Sequence, residues 1–287
     1  MKWQFEYCRA IELARNPGDT NGARDLGSLV HRLMEALYTN EDWRAVLRAE
    51  VNARVEAGTF SPEWATHYRY AEVMMDGYID WVKSEHLDID EEILHAEPQL
   101  EVDLGTFHGD VVLLTGKPDL IKRNTTNDTL IIEDHKTVGK LSTVMLHAPQ
   151  GNSYALLAKA ALGLDVTMFR TNQLKKVLRT AKASPPFYGR SEKFISKEEL
   201  SRHYYMLRGQ LDDMVRLMQY WEYKRDSEIE EFLQRFYTSP GIQCNGCDFV
   251  APCTTLIEGA DHEYVIRNFY RPKPINDFDG VEGEISE

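Results

Sequence analysis

The chain has 287 residues, 43% of them hydrophobic and 28% charged, and a formal net charge of −13 from 33 Lys and Arg against 46 Asp and Glu. That length fits one large globular domain or two small ones, and the acidic balance argues, on its face, against a nucleic-acid partner, an objection that the distribution of charge softens. Residues 1–15 are polar and charged with no apolar signal core, and no run approaches the roughly 20 apolar residues that span a bilayer. A cytoplasmic protein with no membrane partner is therefore expected, in a compartment where clustered cysteines more often hold metal than form disulfides.

Along the chain, Leu26, Leu29, Val30, Leu33, Met34 and Leu37 recur at helical spacing over 26–38, with His31 beside the stripe. Ser61-Pro62-Glu63 reads as a helix start, Ser capping and Pro in the first turn, and the Trp- and Tyr-rich helix after it runs to about Lys83. From about Ile93 the texture changes to short β-type runs at 94–102, 111–114, 120–121 and 130–136. Asn124-Thr125-Thr126-Asn127-Asp128 marks a hairpin turn between the last two. Pro118 cannot donate to a ladder and belongs at an edge or distortion. A helix is expected over 150–162 with Gly163 as its C-cap, a strand over 165–174, and a long helix from Lys197 to about Phe236.

The densest chemistry lies in Gly116-Lys117-Pro118-Asp119 and in the strand ending Glu133-Asp134-His135-Lys136. Side chains alternate faces along a strand, so Asp134 and Lys136 point one way and Glu133 and His135 the other. With Asp119 arriving from a neighbouring strand, the three form a polar cluster suited to a hard divalent cation, leaving a Lys to handle phosphate or water. A plain surface cluster, with Lys136 merely bridging to Asp134, is the competing reading. Glu97 is a further candidate acid, and Gln150 and Tyr154 share one helix face. Acid concentrates at Glu85, Asp88, Asp90, Glu91 and Glu92 and again beyond residue 276. Between them, Lys159, Arg170, Lys175, Lys176, Arg179, Lys182, Arg190 and Lys193 form a basic run, either a solvated face or a phosphate-tracking surface.

Four cysteines stand as Cys8 and Cys244-x₂-Cys247-x₅-Cys253. Four thiolates suit structural zinc and a [4Fe–4S] cluster alike. Either would close a loop of most of the chain, restricting the unfolded state by about 4–5 kcal/mol by analogy with disulfides.

At these residues the chain resembles the PD-(D/E)XK nuclease superfamily. Gly27-Ser28-Leu29-Val30-His31 matches the G-x-x-x-H helix of RecB-like nucleases, and Gln150-Gly151-Asn152-Ser153-Tyr154 their Q-x-x-x-Y helix. The split cysteine pattern looks like that of the AddB-like and CRISPR-associated exonuclease branch, although Arg9 follows Cys8 where Pro is common. The resemblance implies an α/β fold: a nuclease core with a small mixed sheet flanked by helices, a helical N-terminal part and a cysteine-closed C-terminal region. Residues 1–270 then form one domain, divided at 1–90, 91–185 and 186–270, followed by a flexible acidic tail at 271–287. It further implies His31, Asp119 and Asp134 as ligands for Mg²⁺ or Mn²⁺, with Asp119, Asp134, Lys136, Gln150 and Tyr154 serving catalysis. A [4Fe–4S] cluster would sit on Cys8, Cys244, Cys247 and Cys253. The implied activity is a metal-dependent DNA exonuclease acting on single-stranded ends, alongside helicase, recombination or CRISPR-adaptation partners. A non-catalytic DNA-end-binding subunit of the same fold is the rival.

Overall fold

The structure, a computed structural model, describes residues 11–14, 22–144, 149–224, 244 and 247–272. The chain divides into two compact units, residues 17–212 and residues 1–16 with 213–287.

The larger unit begins with three helices, α1 (Ala23–Tyr38), α2 (Trp43–Glu56) and α3 (Pro62–Ser84). The stripe anticipated on α1 is its buried face, Leu26, Leu29, Val30, Leu33 and Met34 all lying inside. α3 starts where anticipated: Ser61 accepts the N–H of Trp64 at 3.3 Å, and Pro62 opens the first turn, where its missing N–H costs nothing.

Eight strands are described after β1 (Ile11–Leu13). β2 (Glu91–Ala96), β5 (Leu120–Asn124), β6 (Leu130–Val138), β7 (Met168–Lys175) and β8 (Tyr188–Phe194) make a mixed sheet in the order β2-β5-β6-β7-β8. Only the β6–β7 pair is parallel. Its crossover carries α4 (Gln150–Leu162), since parallel neighbours need a long connection. Gly163 caps α4 in the left-handed region at φ 70°, as its position suggested. β3 (Leu100–Phe107) and β4 (Asp110–Gly116) pair as a separate hairpin.

One expectation is corrected here. The run 94–102 is not a single strand: β2 ends at Ala96, Glu97 takes a positive φ of 45°, and the chain turns into β3. The Asn124–Asp128 turn forms as expected, with Asn124 Oδ1 accepting the N–H groups of Thr126 at 3.0 Å and Asn127 at 3.1 Å.

The sheet separates two apolar clusters. Ile121, Ile132 and Phe169 pack with Ala155, Leu157 and Ala158 of α4, while Leu174 and Tyr188 join the helical cluster of α1–α3. Gly151 lets α4 approach: a Cβ there would lie 2.6 Å from the Phe169 ring. β6 is the central strand, so both of its faces are covered, and residues 131–135 are all buried.

α5 (Lys197–Lys224) begins at Lys197 as expected; the rest of the helix expected to about Phe236 falls on residues outside those described. In the smaller unit, α6 (Val250–Ile257) and α7 (His262–Phe269) lead into β9 (Tyr270–Pro272), which pairs antiparallel with β1. Among the described residues, no helix is long and apolar enough to cross a membrane.

Candidate active site

Asp119 ends the link from β4 to β5, and its two carboxylate oxygens are used separately. Oδ2 accepts the backbone N–H of His135 at 2.6 Å, and Oδ1 faces His31 Nδ1 at 3.2 Å. Pro118 lies in this link between the hairpin and the main sheet, a break of the kind its missing N–H requires. The backbone carbonyl of Asp119 accepts the N–H of Glu97 at 2.8 Å, which brings the β2–β3 turn against the same point.

Asp134 and Lys136 do share a face of β6. Lys136 Nζ stands 3.0 Å from Asp134 Oδ1 and 2.8 Å from Oδ2. The same ammonium donates to Gln150 Oε1 at 3.0 Å, and Gln150 Nε2 donates to the Tyr154 hydroxyl at 3.0 Å. A chain of polar contacts therefore runs from β6 onto the first turn of α4. It spans all five residues expected to serve catalysis only if Asp119 is joined through the backbone of His135.

The electrostatics follow from burial. Burial pushes the Asp134 carboxyl up to about 6; Lys136 opposes this and the nearby Asp119 adds to it. Burial also pushes Asp119 up, but the hydrogen bond and charge of His31, with the backbone N–H of His135, hold it below the usual carboxylate range. For His31, burial works to lower the pKa, yet the hydrogen bond and charge of Asp119, with Asp134 behind it, leave it raised.

A metal can be fitted against this donor set. His31, Glu97 and Asp119 each offer a ligand atom, all within 4.8 Å of one another. One imidazole nitrogen with carboxylate oxygens suits Mg²⁺ or Mn²⁺. Two of the three expected ligands, His31 and Asp119, fall in this group together with Glu97. Asp134 lies beside it facing Lys136, and its buried Oδ2 has no aligned hydrogen-bond donor. The residues present fit the group.

The opposite face of β6 holds something unanticipated. Glu133, fully buried, accepts from Lys122 Nζ at 3.1 Å and from Arg170 Nη1 at 3.0 Å. Arg170 continues to Glu91 at 2.7 Å and 2.8 Å, and Arg190 forks onto Asp88 at 2.7 Å and 2.9 Å. Lys122 also donates to Asp88 at 3.1 Å. Three cations and three carboxylates thus close a network beneath the site. Its signal in the sequence is faint, a Lys inside the apolar β5 run and acids that look like surface.

This overturns the surface reading of the basic run for two of its three arginines. The side chains of Arg170 and Arg190 are 7% and 10% exposed and are spent on internal carboxylates, so they cannot track phosphate. Arg179 lies over the Phe187 ring at 3.6 Å, Lys159 pairs with Asp165 at 2.7 Å, and Lys193 pairs with Glu199. His135 belongs to the inner face too. Burial lowers its pKa to about 4, keeping it neutral, and its ring stacks on that of Tyr38 at 5.5 Å. Tyr38 sits seven residues after His31 on α1, two turns along one face, so the stack fixes the His31 helix against β6.

A model of the PD-(D/E)XK nuclease superfamily matches residues 1–254. The chain belongs to the PD-(D/E)XK nuclease superfamily. Nucleases of this superfamily use divalent metals. Comparison with curated proteins gives no match. Among solved structures, the chain is similar to SSO0001, at 12% identity and a TM-score of 0.33 over 78% of this chain and 82% of that one. It is also similar to a candidate exonuclease from Eubacterium rectale, at 12% identity and a TM-score of 0.38 over 75% and 76% of the two chains. Likenesses that weak carry no part of the assignment.

In this PD-(D/E)XK protein, three of the four cysteines, Cys244, Cys247 and Cys253, lie among the described residues. The N–H of Cys247 donates to the carbonyl of Cys244 at 3.1 Å, and the N–H of Cys253 to that of Phe249 at 3.1 Å. Cys247 and Cys253 pack against a small cluster of Phe249, Ile266, Tyr270 and Leu13. Burial pushes the Cys253 thiol up, as for a sulfur among apolar groups. Cys8 lies outside the described residues, as do residues 273–287 of the tail expected at 271–287, while Arg271 and Pro272 belong to β9.

Proposed function

We propose that this protein is a metal-dependent DNA exonuclease of the RecB-like branch, acting at single-stranded ends, with residues 1–270 working as one nuclease domain. The observation that carries the reading is the convergence of His31, Glu97 and Asp119 within 4.8 Å beside the Asp134–Lys136–Gln150–Tyr154 chain. Ion-pairing for stability alone would leave Gln150 and Tyr154 without a reason to be strung onto the lysine. The preference for single-stranded ends rests on the motif and cysteine resemblance.

His31, Asp119 and an adjacent carboxylate would hold the divalent ion, which when bound would supply Lewis-acid polarisation of the scissile phosphate and a lowered pKa for water. The chain's own residues do the rest. Lys136, held at once by Asp134 and Gln150, presents a fixed ammonium to the negative charge that develops on phosphate, or orients the attacking water. Tyr154 fixes the Gln150 amide, and so the side on which Lys136 is held. Asp119 is kept ionised and oriented by the His135 N–H, independent of substrate.

The cysteines are read as ligands of a structural [4Fe–4S] cluster, Cys8 with Cys244, Cys247 and Cys253. The support is their split pattern and the β1–β9 ladder, which begins three residues after Cys8 and ends beyond the other three. Such a cluster would contribute folding energy rather than redox catalysis.

The test is incubation of anaerobically purified protein with end-labelled single- and double-stranded DNA plus Mg²⁺ or Mn²⁺. Mononucleotide or short-oligonucleotide release from single-stranded ends is expected. Tight binding of ends without cleavage in either metal would replace this reading with that of a non-catalytic end-binding subunit.

A further inference from the structure

Lys117 Nζ forms an ion pair with Glu97, and the two partners are held very differently. The Glu97 side chain is 11% exposed and that of Lys117 is 47% exposed. The Glu97 backbone sits at φ 45°, a conformation rare for residues other than glycine, and its N–H is tied to the Asp119 carbonyl. Its carboxylate is thus pinned beside His31 and Asp119. Lys117, by contrast, brings its charge from solvent on a flexible four-carbon stem.

The acids around this point are crowded. Glu97 and Asp119 converge there, the charge of Asp134 acts on His31 from beside them, and Glu35 on α1 has its pKa raised by partial burial and by the charge of Glu97. Half-buried carboxylates this close repel one another unless a cation sits among them. Lys136 is committed elsewhere, to Asp134 and Gln150 together. The Lys117 ammonium is the cation that answers Glu97.

We propose that Lys117 is a displaceable counter-ion of Glu97, competing with the divalent metal for that carboxylate, so that metal loading breaks the Lys117–Glu97 pair. The inference rests on the metal-dependent reading above. Two positive charges at His31, Glu97 and Asp119 take over the neutralisation that one ammonium supplied. The ammonium then faces a metal of like sign and leaves on its flexible stem. An arginine in the same place would compete in the same way.

The experiment is direct Mn²⁺ binding to the full chain without DNA, at fixed pH, by calorimetry and by the paramagnetic resonance of free Mn²⁺. Lys117→Met is expected to tighten binding roughly fivefold, the scale of a pair with one partner at the surface. Lys117→Arg should return the affinity to that of the unaltered protein, and Glu97→Gln should weaken it. The double variant Lys117→Met/Glu97→Gln should bind no more tightly than Glu97→Gln alone, because the competition needs the carboxylate. Unchanged or weaker binding by Lys117→Met would overturn the proposal. So would tightening that persists in the Glu97→Gln background, which would be a general effect of charge. Absence of any Mn²⁺ uptake that Asp119→Asn abolishes would bring down the metal-dependent reading itself, and the proposal with it. Uptake lost in Asp119→Asn but indifferent to Lys117 would sink the Lys117 proposal alone.

Discussion

The backbone N–H of His135 donates to Asp119 Oδ2 at 2.6 Å, so the residue lying between Asp134 and Lys136 orients the acid that arrives from another strand. Substituting Asp119 by Asn keeps an oxygen that can accept this bond while removing the charge. Asp119→Asn should therefore fold and melt close to the unaltered protein, yet lose at least about 100-fold in cleavage rate. Rates in Mg²⁺ and Mn²⁺, with a thermal melt as control, check this. Retained cleavage would remove Asp119 from the site.

Gln150 bridges Lys136 and Tyr154 at 3.0 Å on each side. If its work is to hold the ammonium, Gln150→Ala should cost about 10–100-fold in kcat, as for other groups that orient a reacting residue. Lys136→Met should cost more. KM for a single-stranded oligonucleotide should move less than kcat in both variants. A change confined to KM would instead make Gln150 a contact to the nucleic acid.

The network beneath the site predicts a stability cost unrelated to chemistry. Glu133 is fully buried against Lys122 and Arg170. Glu133→Ala leaves two buried cations short of a partner, and about 3–5 kcal/mol of stability should disappear. Urea unfolding measures it. A loss below about 1 kcal/mol would mean that water reaches the network.

The same network sets an acid limit. Burial pushes Asp88 up, but the Arg190 fork and the charge of Lys122 hold it well below its ordinary 3.8. The unfolded chain then takes up a proton near pH 4 that the folded chain refuses. The Asp88 contribution is fully present above that pH and is lost as the pH falls below it. The stability difference between the unaltered protein and Asp88→Asn should be flat above about pH 5 and shrink below about pH 4. A difference that grows on acidification would contradict the network.

For the cysteines, anaerobically purified protein should carry about four irons and about four sulfides per chain. Cys8→Ala should lose cluster and stability together while Asp119, Asp134 and Lys136 are untouched. Stoichiometric zinc without iron would decide for the alternative metal, and full cluster occupancy in Cys8→Ala would place the fourth ligand elsewhere.

What the sequence determined by itself was local. The α1 stripe, the Ser61 cap, the Gly163 cap and the Asn124–Asp128 turn each depend on neighbours a few residues apart, and all appear where the residues require them. The same holds for the pairing of Asp134 with Lys136, since strand alternation puts i and i+2 on one face. Burial of a charge is not local. Arg170 and Arg190 read as surface because isolated guanidinium groups favour water. Only the sheet order, which sets β7 and β8 beside β6 with Asp88 and Glu91 close by, supplies the carboxylates that let them go inside. Glu97 and Lys117 tell the same story at the site. They lie twenty residues apart, on either side of the β3–β4 hairpin. Their pairing beside His31 and Asp119 comes from how that hairpin returns the chain, a long-range closure that no periodicity encodes.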